Sequence, residues 1–222
     1  MTILKKLISI FAFFIIIMIT LGVLSLNTLR QAQERFEYVT SNSLGSINTL
    51  SQALQSREEA RRQILMSLLV NQKDVFDKHM LLANSLLDKT RDTLHVYQTS
   101  MITDENDANL IKKTIQAYES YKQKVDEMVK VYNTQGLEPA RAMVSDGGVT
   151  AIASVALSAS IQEMVVYNYK VAKEFAGKNN AQYKQTLWSL IVLIMASVII
   201  GIVFCYLLLA YMKKALRSMQ DT

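Results

Sequence analysis

Breakers and cross-links are scarce in this chain: its 222 residues hold one proline, seven glycines and one cysteine. A single proline excludes polyproline and collagen-like structure, and so few glycines leave long stretches in which nothing interrupts a helix. The lone thiol, Cys205, cannot close a disulfide within the chain, so packing must hold whatever domain forms. The only histidines, His79 and His95, belong to no HExxH or similar pattern, and no metal site is expected. GxxxxGK[ST], GxGxxG and GxSxG are absent as well, and Gly147-Gly148 reads as a loop. No nucleophile and base can be paired, so neither an enzyme nor a cofactor is expected.

What is present is hydrophobicity gathered in two blocks. Leu7 to Leu26 carries no charge over about 20 residues, enough for a helix to cross a hydrocarbon core of about 30 Å. Leu187 to Met212 is uncharged over about 26 residues, with Trp188 near one end and Tyr206 and Tyr211 near the other, where amphipathic rings favour a membrane interface. Both blocks read as transmembrane helices, 7–26 and 187–212. The first is too long for the apolar region of a cleaved signal peptide and has no Ala-x-Ala site after it, so it is expected to remain as an anchor. Lys5 and Lys6 precede the first block, and Lys213, Lys214 and Arg217 follow the second, which places the short flanks 1–6 and 213–222 in the cytoplasm. The flanks take five of the 24 basic and one of the 19 acidic residues, leaving 19 basic and 18 acidic side chains in the segment 27–186 on the opposite side. That balance offers no nucleic-acid surface.

The segment 27–186 breaks at three places. Asn71 to Asp74 and Thr103-Asp104-Glu105-Asn106-Asp107 are short turns rich in capping side chains. Gly136, Pro139 and Ser145-Asp146-Gly147-Gly148 mark a wider junction. Four long helices follow, about 27–70, 73–102, 105–134 and 149–186. The apolar stripes expected to face the core are Leu44, Ile47, Ser51, Leu54, Glu58, Arg61, Leu65, Leu68 in the first; Phe76, Met80, Ala83, Leu87, Thr90, Leu94, Tyr97, Met101 in the second; and Ile111, Ile115, Tyr118, Lys122, Val125, Val129, Tyr132 in the third. Short turns make sequential helices antiparallel, and four of them return the chain to the membrane. The fold class is all-α: a membrane-anchored, antiparallel up-down-up-down four-helix bundle with two transmembrane helices.

Charges on those stripes need partners or ligands. Counted from the distal turns, Arg61 and Lys122 fall at similar heights, with Arg57 and Arg62 beside Arg61, Tyr118 and Tyr121 on the third helix, and Ser158, Ser160, Gln162 and Glu163 on the fourth. Two readings stay open for this polar layer: basic groups that clamp a small carboxylate while hydroxyls and an amide read the rest of it, or mutual neutralisation among Glu58, Arg61, Lys122 and Glu163. Tyr97, Tyr118 and Tyr132 read as packing residues.

In layout the chain resembles the input half of the bacterial methyl-accepting chemotaxis proteins. The likeness is carried by Lys5-Lys6, by the first span running into Leu26-Asn27-Thr28-Leu29, and by Asn42-Ser43-Leu44-Gly45-Ser46-Ile47 leading to Arg57 and Arg61-Arg62. Gly136-Leu137-Glu138-Pro139-Ala140-Arg141-Ala142-Met143-Val144, ahead of a glycine-rich link and a small-residue helix, is similar to that family's passage between its third and fourth bundle helices. The resemblance implies a homodimer in the bacterial inner membrane whose periplasmic sensor domain, 27–186, binds an organic acid or amino acid, with basic side chains of the first helix near the dimer contact. It implies that the signal passes through the fourth helix and the second span. A receptor of that family continues into a HAMP linker and a cytoplasmic coiled coil, which 213–222 cannot house; a truncated or standalone sensor is expected. The alternative is an interaction protein that binds no ligand and pairs with another membrane protein through its bundle.

Overall fold

The computed structural model of the chain describes residues 3–220, so the expected flanks 1–6 and 213–222 extend beyond it at 1–2 and 221–222. The described residues form six α-helices and one π-helical segment: α1 (Ile3–Glu37), the π segment (Tyr38–Ser43), α2 (Leu44–Ser67), α3 (Lys73–Ser100), α4 (Glu105–Gln135), α5 (Leu137–Val144) and α6 (Val149–Gln220). Two compact units divide the chain, one of residues Glu37–Phe175 and the other of Met1–Phe36 with Ala176–Thr222.

Local chemistry sets the ends of the bundle helices. Asp104 accepts from the Asp107 backbone N–H at 2.9 Å, and Glu105 and Asp107 place negative charge in the first turn of α4, where the helix dipole favours it. Gly136 stops α4 at φ 94, a left-handed conformation that only glycine adopts cheaply. Pro139 sits in the first turn of α5, where its missing N–H costs nothing. Gly148 has no room for a side chain, since a Cβ would lie 2.3 Å from the Met143 carbonyl oxygen.

Within the Glu37–Phe175 unit the helices pack as antiparallel neighbours. Going up α4 from Lys113 through Thr114 to Lys124, the partners on α6 run down from Glu163 through Ser160 to Thr150. The same reversal relates α3 to α4, where Phe76 stacks on Tyr132 at 3.6 Å and Tyr97 donates to Asp107 at 2.6 Å. Four helices thus form a bundle around Leu50, Phe76, Leu87, Tyr97, Tyr121, Val125, Leu157 and Ile161.

The stripe expected on α3 is buried from Phe76 to Tyr97. On α4 every second position is displaced by one: Ile111, Tyr118, Val125 and Tyr132 are buried as expected, but Thr114, Tyr121 and Met128 take the places given to Ile115, Lys122 and Val129. On α2 the stripe is displaced by one residue, the buried side chains being Ser46, Leu50, Ala53, Ser56, Arg57, Ala60, Ile64 and Ser67, while Leu68 just past the helix end is buried as expected. Small residues let helix backbones approach closely, and the core selects Ser46, Ala53 and Ala60 for that reason over the larger Leu44 and Leu65, which stay exposed.

In the unit formed by the two ends, α1 and α6 also run antiparallel. Phe13 lies 6.0 Å from Phe204, Phe14 covers Gly201 so closely that a Cβ there would meet its ring at 2.9 Å, and Gln182 donates to Gln31 at 2.9 Å. Two helices are long and apolar enough to cross a membrane, and their most apolar windows are not buried within the protein.

The distal end of the bundle unit is closed by Arg141 of α5. Its guanidinium donates to the Leu68 and Leu69 carbonyls at 2.7 Å each, acceptors that the end of α2 leaves without helical partners, and pairs with Glu138 at 2.7 Å. Arg141→Ala is expected to lower stability by about 1–3 kcal/mol in chemical denaturation, whereas Glu138→Ala, which removes only an exposed ion pair, should cost under about 1 kcal/mol.

Candidate functional site

Arg57 is the buried cation of the bundle among the described residues: it is 2% exposed, although its sequence position beside Glu58 suggested a flank of the stripe. Its guanidinium donates to the Ser154 carbonyl oxygen and to Ser154 Oγ at 2.6 Å on α6, and pairs with the half-exposed Glu58. Its Nε has no hydrogen-bond partner among the described residues. Burial pulls the Arg57 guanidinium below its ordinary pKa, and the neighbouring Glu58 carboxylate pulls the other way. Tyr121, 1% exposed, shares a hydrogen bond with Ser154, and burial pushes its phenol up.

Arg61 and Arg62 stand outside this layer. Together with Gln55, Glu58, Glu59 and Leu65 they line an open groove along α2. Arg62 is held by Glu59 at 2.6 Å, while Arg61 has no carboxylate partner among the described residues. Arg61 also lines a narrow crevice with Ile64, Tyr121, Val144, Thr150 and Ser154, so it bridges the outer groove and the Arg57 layer. The basic trio of α2 is therefore brought together on one side of the bundle.

The other candidates line neither cavity. Lys122 pairs with Asp126 at 2.5 Å on its own helix. Tyr118 is 3% exposed, with Arg91 and Asp88 of α3 the nearest charges. Glu163 is taken by Lys113 at 2.8 Å. Ser158 is half-buried and Gln162 exposed on α6. Tyr121 lies beside this layer, at the level its sequence position suggested, whereas Ser154 had no signal in the sequence as a contact of Arg57, being one of several small residues in its run.

A second buried network lies at the α3–α4 turn. Asp107, fully buried, accepts from Tyr97 Oη at 2.6 Å, the Thr103 backbone N–H at 3.0 Å and Thr103 Oγ1 at 3.1 Å. Asn168 Nδ2 of α6 donates to Tyr97 Oη at 2.7 Å, and Tyr167 donates to Asp104.

A family model described as a four-helix-bundle sensory module for signal transduction matches residues 1–183. The chain belongs to that family. Such a sensory module is the input domain of receptors of the methyl-accepting chemotaxis type and is a signalling rather than a catalytic domain. A comparison with curated proteins found no match.

The tyrosines of this sensory module give it an alkaline limit. Burial first, and the Asp107 acceptor second, raise Tyr97 far above its ordinary value of 10.0. Burial raises Tyr118 to about 12, and burial with Asp104 raises Tyr167 to about 12. The folded phenols hold their protons above the pH at which unfolded ones ionise, so the stabilisation is whole below pH 10.0 and is lost as pH climbs from there toward about 12. The urea midpoint should be flat through neutral pH and fall above the ordinary tyrosine range, and Tyr97→Phe should make that fall shallower.

Proposed function

We propose that the chain is a transmembrane receptor input, anchored in a bacterial inner membrane, whose bundle binds a small anionic metabolite on the far side of the membrane. The observation that carries this reading is Arg61: a cation without a carboxylate partner among the described residues, set between the outer groove and the buried Arg57 layer, with Arg62 beside it. An organic acid or amino acid carboxylate matches a guanidinium fork bidentately. The exposed apolar residues Leu44 and Leu65 on α2, with Leu69 just past its end, support a homodimer formed along this helix, with the groove at or near the contact. Ser158, Gln162, Tyr118 and Lys122 remain peripheral in this proposal, shaping the bundle rather than touching the ligand.

The signal path follows from where Arg57 is tied. Its acceptors belong to α6, which continues without a break as Val149–Gln220 into the apolar run, so a ligand that draws Arg57 or Arg61 outward changes what holds α6 to α2. The two apolar helices and the basic flanks of the sequence support the membrane placement, with the bundle in the periplasm.

A thermal-shift screen of the purified chain against organic acids and amino acids tests the proposal. A saturable rise in melting temperature is expected, weakened about tenfold in apparent affinity by Arg61→Ala, the loss of roughly one charge-assisted contact, and unchanged by Lys122→Ala. A cooperative melt that no member of the panel moves, joined to recovery of a defined hetero-complex from membranes, would replace the ligand reading with the partner-binding one.

A further inference from the structure

A second cavity lies in the unit formed by the two ends, between α1 and α6, and its lining differs in kind from the groove on α2. It encloses about 320 Å³ and is lined by Gln31 and Arg35 of α1 and by Asn179, Asn180, Gln182 and Tyr183 of α6, with small residues filling the gaps. No carboxylate lines it. Arg35 is half-buried, and among the described residues its one hydrogen bond is to Gln31 Oε1 at 3.5 Å, an oxygen already accepting from Gln182 at 2.9 Å. A guanidinium withdrawn from water into a cavity of neutral amides and a phenol has donors to spare and no counter-charge, which is the chemistry of an anion site.

Depth selects the anion. The apolar runs end at Leu26 and begin again at Leu187, so the cavity's α1 side, from Thr28 to Arg35, starts about 3 Å and ends about 13 Å beyond the hydrocarbon boundary at 1.5 Å per residue. The headgroup layer occupies roughly the first 5–8 Å of that distance on each side of the core, and the Arg35 guanidinium, whose backbone stands beyond that layer, reaches back one turn to Gln31, about 8 Å out. Phosphodiester groups are the anions in greatest supply there, and Arg with amide donors binds their oxygens bidentately. Lys173 and Lys184 on the same stretch of α6 add positive potential to the approach.

We propose that this cavity holds the phosphodiester headgroup of an anionic phospholipid from the outer leaflet, with Arg35 on the phosphate oxygens and the amides of α6 on the rest of the headgroup. The assignment rests on the membrane placement proposed above. A lipid bound there would bridge α1 and α6 beside the spans, making their packing sensitive to the charge of the surrounding bilayer.

The full chain is reconstituted into vesicles of phosphatidylcholine, with and without phosphatidylglycerol, and into phosphatidylcholine vesicles given soluble glycerol 3-phosphate. Flotation reports insertion, the melting temperature reports stabilisation, and lipid analysis of re-extracted protein reports retained phosphatidylglycerol. The expected result is insertion in every case, stabilisation by phosphatidylglycerol alone, and about tenfold weaker retention by Arg35→Gln, the loss of one charge-assisted contact. Asn180→Ala, which leaves every charge in place, should weaken retention as well, whereas Arg30→Gln should not, because Arg30 lies outside the cavity and pairs with Glu34 at 3.0 Å. Equal retention by wild type, Arg35→Gln and Asn180→Ala, all inserted, would overturn the site while leaving the membrane placement intact. Equal stabilisation by glycerol 3-phosphate would overturn the lipid as its occupant. Failure of the wild-type chain to float with any vesicle would remove the membrane placement and the proposal with it.

Discussion

A guanidinium taken out of water must find acceptors, and Arg57 finds them on α6, in the carbonyl and hydroxyl of Ser154. That contact ties the first bundle helix to the last at a point where both contribute small side chains, Ser56 and Ala60 on one side and Ala153 on the other. With Arg57 held there, Arg61 and Arg62 line the groove outside the buried layer, and Glu58 at the rim is the carboxylate paired with Arg57 among the described residues. The candidate site follows from this arrangement: a buried cation fixed by α6, a cation beside it with no carboxylate partner among the described residues, and a third held by its own helix.

The bundle is closed by different means at its two ends. At the α2–α3 turn, Arg141 satisfies carbonyls that α2 leaves open, while Phe76 and Tyr132 stack beneath. At the α3–α4 turn the work is done by the Tyr97, Asp107 and Asn168 network, whose Tyr97–Asp107 and Asn168–Tyr97 bonds cross between helices and whose Thr103–Asp107 bond joins turn to helix. Polar cores of this kind select one packing because a shifted one leaves buried groups unpaired. Within this network Asn168 Oδ1 has no hydrogen-bond partner among the described residues even in this packing. A sensory module needs a bundle with a second packing close in energy, and incompletely satisfied polar groups lower the cost of leaving the first.

Much of this was legible in the sequence. The ends of α4 follow from the Asp104 cap and Gly136, and the α3 stripe from Phe76 to Tyr97 was readable because its apolar side chains are large and regularly spaced, although no side chain caps the start of α3 at Gln72. The register of α2 was not, since hydrophobic periodicity weights leucine above alanine and serine, whereas close helix packing rewards the small residues. The π segment at Tyr38–Ser43 escaped for a related reason: a local change in hydrogen-bond register leaves no mark in composition. The basic trio Arg57, Arg61 and Arg62 was legible as a cluster, but which member is buried depends on the register that the pattern misplaced by one residue. Lys122 was misplaced on α4 in the same way, and Tyr121 occupies the position it was given.

The claim that most of this depends on is that Arg57 and Ser154 hold α2 and α6 together through a direct contact. A double-mutant cycle with Arg57→Met and Ser154→Ala, measured by chemical denaturation of the whole chain in detergent, tests it most directly. The contact predicts a coupling energy of about 1.5–3 kcal/mol, the worth of a hydrogen bond to a charged group. Additivity to within about 0.3–0.5 kcal/mol would contradict it and leave the placement of Arg61 without its anchor.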